Sequence, residues 1–200
     1  VRTGYPAYAH YNLFDPKHII GGVDANNLDS MTRALADVQP DVVINCIGII
    51  KQLAASKDPI PSLNINSLFP HKAALLSRAA GARFIHISTD CVFNGRGSMY
   101  TESDPSDAED LYGRSKFLGE VDAPNALTLR TSIIGRELQT RSGLIEWFLA
   151  NKGQQVRGFS NAIYTGFTTI ALANIIADVI EDRPDLQGVY QVSSEQINKH

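Results

Sequence analysis

Basic residues are in short supply. Lys and Arg number 18 against 21 Asp and Glu, a formal net charge of −3 over 200 residues. A chain without cationic excess lacks the electrostatic footprint for nucleic acid or an anionic membrane surface. Cysteine is scarcer still. The only two, Cys46 and Cys91, sit in apolar strand-like runs, which argues against a disulfide scaffold and for a reducing compartment, with the cytoplasm as the expected location. Long apolar runs are also missing. Ile163 to Ile180 is interrupted by Thr, Gly, Asn and Asp, and a membrane span needs roughly 18 uninterrupted apolar residues. No repeat or low-complexity tract is visible. The chain is 44% hydrophobic and 20% charged, with 15 Gly and 9 Pro, which excludes collagen-like and disordered classes. Its length allows one medium domain, or a domain and a half. Val1-Arg2-Thr3-Gly4 has neither an initiator Met nor the charged and apolar regions of a signal peptide. It reads as the tail of a strand that begins upstream, and Ser193 to His200 follows a strand closely. The chain is therefore read as an internal piece of a longer protein.

What is present is an alternation of two hydrophobic patterns. Asp41 to Gly48, Arg83 to Ser88, Leu127 to Ile134 and Gly188 to Ser193 are short, β-branched-rich apolar runs, which suit strands buried on both faces. Helical spacing lies between them. Leu28, Met31, Leu35 and Val38 recur at three and four, with Asp29 or Ser30 available as a cap. Ile65 to Ala80 is a second helix, stopped by Gly81. Gly143 to Ala150 and Thr168 to Ile180 are two more. Strands alternating with helices imply βαβ units and a parallel sheet. Right-handed crossovers then place helices on both faces. The expected fold class is α/β, a doubly wound parallel sheet of Rossmann type. Ligands of such sheets bind beyond the carboxyl ends of the strands. That directs attention to Asn45–Gly48, Ser88–Phe93 and Arg130–Gly135.

Tyr112-Gly-Arg-Ser-Lys116 opens a helix that is expected to run to about Glu120. Four residues on a helix place Tyr112 and Lys116 one turn apart on one face. A phenol ordinarily titrates near 10, and a neighbouring ammonium favours the phenolate. Bringing it to about 7 takes about 4 kcal/mol. One Lys, a cofactor charge and a helix N-terminus together could supply that. A tyrosine so tuned exchanges a proton with a carbonyl oxygen. Thr89, at the end of the strand containing His86-Ile-Ser-Thr-Asp-Cys-Val-Phe93, offers a hydroxyl that can polarise the same oxygen. The structural alternatives are an ordinary amphipathic helix and strand-end capping by Ser88 and Thr89.

Asp41-Val-Val-Ile-Asn-Cys, Asn66-Ser-Leu-Phe-Pro70, His86 to Phe93, Tyr112 to Lys116 and Leu129-Arg-Thr-Ser132 occur in that order. In order and spacing they resemble the extended short-chain dehydrogenases/reductases, most closely the dTDP-4-dehydrorhamnose reductase branch. The resemblance spans about Gly22 to Ser193. It implies a catalytic triad of Thr89, Tyr112 and Lys116. Tyr112 would be the general acid, Lys116 would hold the nicotinamide ribose, and Thr89 would orient the carbonyl. It implies that Asn45, Cys46, Ile47 and Gly48 run beside the adenosine and ribose, with Asp24 near the adenine. Asn66 would support the strand that carries the cofactor loop. Ser88, Ser132 and Ile133 would also border the cofactor. Cys91, Val92 and Phe93, with Thr89, would lie toward the sugar, and Arg157 or Tyr164 would touch a nucleotide phosphate or base. Arg2 has a reading of its own. A cation at that strand end can meet a 2′-phosphate, which favours NADPH over NADH; a surface arginine is the alternative.

Three departures from the family pattern stand out. No Gly-rich phosphate loop is present, and Gly95-Arg-Gly97 reads as a turn. Cys91 and Ile133 replace the aromatic residue and the tryptophan that the branch commonly carries near the sugar, so rhamnose itself is not implied. The five histidines lack ligand spacing, so no metal site is expected. The acidic run of Glu102, Asp104, Asp107, Glu109 and Asp110 reads as a solvated loop with favourable charge at a helix N-terminus. The expected organisation is a dinucleotide-binding core over 1–134, part of a substrate lobe over 135–167, a helix and strand returning to the core over 168–193, and a further segment from 194. The expected activity is NAD(P)H-dependent reduction of a keto-sugar nucleotide. Epimerisation or dehydration by the same triad, and a non-catalytic NAD(P)-binding module, are the alternatives. A homodimer is a further expectation of the resemblance.

Overall fold

Val42–Asn45 forms β1 because a β-branched run here leads straight into the sheet. In this computed structural model, which describes residues 18–97, 99–137 and 143–199, β1 pairs in parallel with β2, Arg83–Ile87. β2 pairs with β3, Ala126–Arg130. The register sets Val42 against Arg83, and Phe84 against Ala126. β2 and β3 are buried along almost their whole length, which is why their apolar residues do not simply alternate with exposed polar ones. All pairings in this sheet are parallel, so it is a Rossmann-like α/β fold, as the alternation of patterns implies.

Helix α1, Leu28–Val38, is capped by Asn27, whose side chain accepts from the Asp29 amide. The expected cap at Asp29 or Ser30 is displaced by two or three residues. Ser30 instead turns its hydroxyl back to the Asn27 and Asp24 carbonyls. The connection from β1 to β2 is helical from farther upstream than the apolar spacing indicates. α2, Pro59–Ser62, starts on an Asp58 cap with proline at its first turn. The chain then widens to a π-helix over Leu63–Leu68 and continues as α3, Phe69–Ala79. Gly81, at φ 78°, ends it. Met31 and Leu35 of α1, Phe69, Ala73 and Ala74 of α3, and Phe84 of β2 share one apolar cluster with Val121 and Ala126.

Helix α4, Leu111–Leu118, packs onto the π-helical segment. Two glycines permit the approach. A Cβ on Gly113 would collide with the Cys91 carbonyl, and one on Gly119 with the Asn66 carbonyl. α4 closes at Gly119, one residue short of the expected end near Glu120.

The chain divides into two units, 1–130 with 186–191, and 131–185 with 192–200. The division falls at Arg130 rather than 134, because the apolar run Leu127 to Ile134 breaks after Arg130. In the first unit the final strand, β7, Gly188–Gln191, joins β3 in parallel, giving the order β1-β2-β3-β7. In the second unit β4, Ile133–Ile134, pairs in parallel with β6, Phe167–Thr168. Helix α5, Leu144–Ala150, precedes β5, Phe159–Tyr164. Val156 to Gly158 is irregular. β5 pairs antiparallel with β8, Ile197–Lys199. Helix α6, Thr169–Asp182, belongs to this second unit, where it packs on β4 and β6. Of the expected returning helix and strand, only β7 lies in the first unit. No helix among the described residues is long and apolar enough to cross a membrane.

Candidate active site

The carboxyl ends of β1 and β2 and the first turn of α4 bring the central residues together. After β2 the backbone passes Ser88 and Thr89 into a short 3-10 turn, Asp90–Val92. Thr89 starts that turn: its hydroxyl oxygen accepts from the Cys91 amide at 3.1 Å. α4 begins on Asp110, whose carboxylate accepts from the Gly113 amide at 2.7 Å. The other oxygen of Asp110 pairs with Lys51 at 2.6 Å, tying the segment after β1 to the start of α4. The Lys51 ammonium holds the Asp110 carboxyl below its usual range. With α4 set this way, Tyr112 is half-buried, with the Thr89 hydroxyl close enough to act on its phenol. Lys116 follows one turn later with its side chain buried.

The phenol is not acidified here. Burial pushes Tyr112 up to about 12, against the pull of the nearby Thr89 hydroxyl, and Cys91, Asp90 and Asp110 add to the rise. The expected lowering by Lys116 is absent because the Lys116 amino group is engaged elsewhere. It donates to the Ile87 carbonyl at 2.8 Å and lies 3.4 Å from His86 Nε2. Burial brings Lys116 down to about 8, opposed by the nearby Glu120 and Cys46.

The other sequence-predicted positions divide into supports and surfaces. Asn66, 1% exposed, accepts from the Ile49 amide at 2.8 Å and donates to the Ile49 carbonyl at 3.0 Å. It also donates to Ser115 on α4, so one amide fixes the segment after β1 and docks the helix that carries Tyr112. Asn45 is buried, with its side chain spent on the Ile47 amide and His86. Cys46, Ile47 and Gly48 are exposed beyond the end of β1, so Cys46 lies past the strand rather than in it. Asp24 is exposed, and one carboxylate oxygen closes a turn with Asn26. Ser88 donates to Glu120 at 2.8 Å. Val92 is fully buried and Phe93 nearly so, stacked on Tyr100 at 4.2 Å. These two form the packing behind the turn. Cys91 is partly exposed, but burial and Asp90 push its thiol up, so it is not an activated thiolate.

Ser132, Ile133, Arg157 and Tyr164 belong to the second unit. There the Ser132 carbonyl accepts from the Phe167 amide, Ile133 is half-exposed in β4, and Arg157 is exposed. Arg2 lies outside the described residues. Gly95 to Gly97 is a turn, with Gly95 at φ 76° and Asn94 accepting from the Arg96 amide. No cluster of metal-ligating side chains occurs among the described residues.

Sequence reasoning missed the ion pair beneath the site. Arg130 meets both carboxylate oxygens of Glu120, at 2.9 and 2.8 Å, with the two side chains 4% and 5% exposed. The same guanidinium lies 5.2 Å over the Phe93 ring. The available signal was Arg130 ending an otherwise apolar strand, since a cation there needs a buried partner. His86 was the second omission: a 0% exposed imidazole between Asn45 and Lys116.

That imidazole makes the fold acid-sensitive. Burial first, and then the Lys116 charge, bring His86 from 6.5 to about 3. Between those values the unfolded chain binds a proton that the folded chain refuses. The contribution is intact above about 6.5 and is lost as the pH falls toward 3, by at most about 1.4 kcal/mol per pH unit. His86→Phe keeps a ring against Phe84 and removes the titration. Urea midpoints from pH 7 to 4.5 are expected to fall more steeply for the native chain than for the variant. Parallel slopes would refute this.

A model of the RmlD substrate-binding domain matches residues 10–200. The chain belongs to this family. Among its relatives, the spore coat polysaccharide biosynthesis protein SpsK of Bacillus subtilis is 32% identical over 176 residues, covering 84% of this chain and 60% of SpsK. A dTDP-4-dehydrorhamnose reductase of Burkholderia thailandensis is 33% identical over 114 residues, covering 54% of this chain and 38% of the reductase. The chain thus spans between about two fifths and three fifths of the length of these RmlD relatives. The crystal structure of dTDP-4-dehydrorhamnose reductase from Bacillus anthracis, solved in complex with NADP, superposes with a TM-score of 0.76 at 22% identity. It covers 96% of this chain and 72% of that one. At that identity the likeness supports the fold.

Proposed function

We propose that the protein containing this chain reduces the ketone of a nucleotide-linked sugar with NADPH or NADH, using Thr89, Tyr112 and Lys116. The observation that carries the reading is the buried Lys116 one helical turn beyond Tyr112, with the Thr89 hydroxyl close enough to act on the phenol. A purely structural helix has no need for a buried lysine at that position, since taking it out of water is costly.

The residues fit part of a dinucleotide. Exposed Cys46–Gly48 offers an open backbone edge beyond β1. The Lys116 amino group has two partners, the Ile87 carbonyl and His86, which leaves one donor position for a ribose hydroxyl. A glycine-rich turn leading into a helix, the usual seat for pyrophosphate, does not occur among the described residues. When bound, the nicotinamide supplies hydride to the carbonyl carbon. Thr89 polarises the carbonyl oxygen by hydrogen bonding. Tyr112 delivers a proton to that oxygen as negative charge develops. A phenol near 12 is fully protonated at neutral pH, which suits a proton donor and hence the direction of reduction. The relatives named as dTDP-4-dehydrorhamnose reductase point to a dTDP-linked keto-sugar as the first substrate to try. A cytoplasmic location and a homodimer belong to the same reading.

The test is nicotinamide absorbance with NADPH or NADH and a panel of dTDP- and UDP-linked keto-sugars, using the full-length protein. Oxidation of cofactor that depends on the sugar supports reduction. Cofactor binding without turnover of any sugar supports a non-catalytic module instead. Rearrangement of the sugar without net cofactor oxidation supports epimerisation.

A further inference from the structure

His86 stands directly opposite Asn45 in the β1–β2 register. Its ring lies nearly parallel to that of Phe84, at 8° and 6.4 Å. Nδ1 is 3.1 Å from the Asn45 side-chain nitrogen, and Nε2 is 3.4 Å from Lys116 Nζ. The Asn45 amide has one orientation here, because its oxygen accepts from the Ile47 amide at 3.0 Å. It therefore presents its NH2 group, a donor, to the ring.

A neutral imidazole has one N–H and one lone pair. If Nδ1 accepts from Asn45, the ring proton sits on Nε2 and points at Lys116. An ammonium has three donors and no lone pair, so in the charged form of Lys116 a donor faces a donor. A free amine accepts from Nε2–H and still donates to the Ile87 carbonyl at 2.8 Å.

We infer that His86 is a positioning residue: Asn45 locks it as the Nε2–H tautomer, and through that N–H it favours the free-amine form of Lys116. The role rests on the reductase reading for its purpose, since Lys116 belongs to that site, but the contact itself does not. The other groups around the pair are few. Glu120, just past the end of α4, and Cys46 after β1 favour the ammonium, and burial outweighs them. His71 of α3 disfavours a charged His86, while the Asn45 backbone favours one; burial decides for the neutral ring. Lys116 then gives up and regains a proton near the working pH. A surface lysine, titrating near 10.5, stays charged.

The experiment is NMR on the labelled protein without cofactor. Long-range proton–nitrogen spectra give the His86 tautomer, and the Lys116 ε-carbon shift gives its titration. The expected results are the Nε2–H tautomer and a Lys116 midpoint near 8. In His86→Gln the introduced amide oxygen can turn to an ammonium, and the midpoint is expected to rise by about one pH unit or more. The Nδ1–H tautomer, held by the Asn45 backbone carbonyl, overturns the inference. So does a midpoint at the ordinary lysine value, or an unmoved midpoint in a folded variant. If His86→Gln does not fold, the tautomer and midpoint of the native chain decide. Absence of turnover leaves these spectra intact and sinks only the reductase reading; turnover with the Nδ1–H tautomer sinks only this inference.

Discussion

Tyr112→Phe is expected to lower kcat by about 10²–10⁴-fold, the range for losing one positioned general acid. Cofactor affinity is expected to change little, because Lys116 and not Tyr112 has the donor free for the ribose. The variant keeps the ring and so the packing of the first turn of α4. A urea midpoint registers any change in stability separately from activity. The raised phenol sharpens the prediction. At about 12, Tyr112 holds its proton throughout the physiological range, so a fall in the reduction rate toward mildly alkaline pH does not come from this group. A native-like kcat in the folded variant would mean that the proton comes from elsewhere and would remove the reaction proposed for this site. Thr89→Val serves as the companion measurement. It deletes the hydroxyl beside the phenol, and a smaller loss is expected if Thr89 orients the oxygen and Tyr112 supplies the proton.

The strands of the sheet were legible from short apolar runs without helical spacing: Val42-Val-Ile in β1, and Phe84, Ile85 and Ile87 in the buried β2. Helix starts were less legible. Asn27, and not Asp29 or Ser30, caps α1, since several polar residues in a row can each cap and only the turn with Asp24 selects one. The π-helix over Leu63–Leu68 has no pattern of its own; it follows from seating Asn66 against both Ile49 and Ser115. At the site, helix spacing placed Tyr112 and Lys116 on one face. It could not say where the lysine amine points. That depends on the Ile87 carbonyl and on His86, thirty residues away in sequence. The tuning of the phenol was therefore misjudged: spacing along a helix gives proximity, whereas burial and competing partners set the charge.

Glu120→Gln is expected to destabilise the fold by about 3–5 kcal/mol, the cost of leaving one partner of a buried ion pair uncompensated. Both side chains are enclosed, at 5% and 4% exposure, and both guanidinium–carboxylate contacts are at or below 2.9 Å. The amide keeps the shape and forfeits the charge, leaving the Arg130 guanidinium buried above Phe93 with no anion. Arg130→Met alone strands the carboxylate in the same way. The double variant replaces a desolvated pair by apolar and neutral groups and is expected to recover much of the loss, because breaking a buried pair costs more than the pair is worth. Urea unfolding of the four proteins closes a double-mutant cycle and isolates that coupling. The consequence reaches the site through Ser88, which donates to the same carboxylate and precedes Thr89 in the chain. Loss of the anion leaves Ser88 a neutral amide oxygen in place of a carboxylate, weakens that bond, and loosens the turn that Thr89 caps beside Tyr112. A Glu120→Gln protein as stable as the native one would show that water reaches Arg130, and the pair could then no longer be the clamp that holds β3, α4 and the Thr89 turn in register.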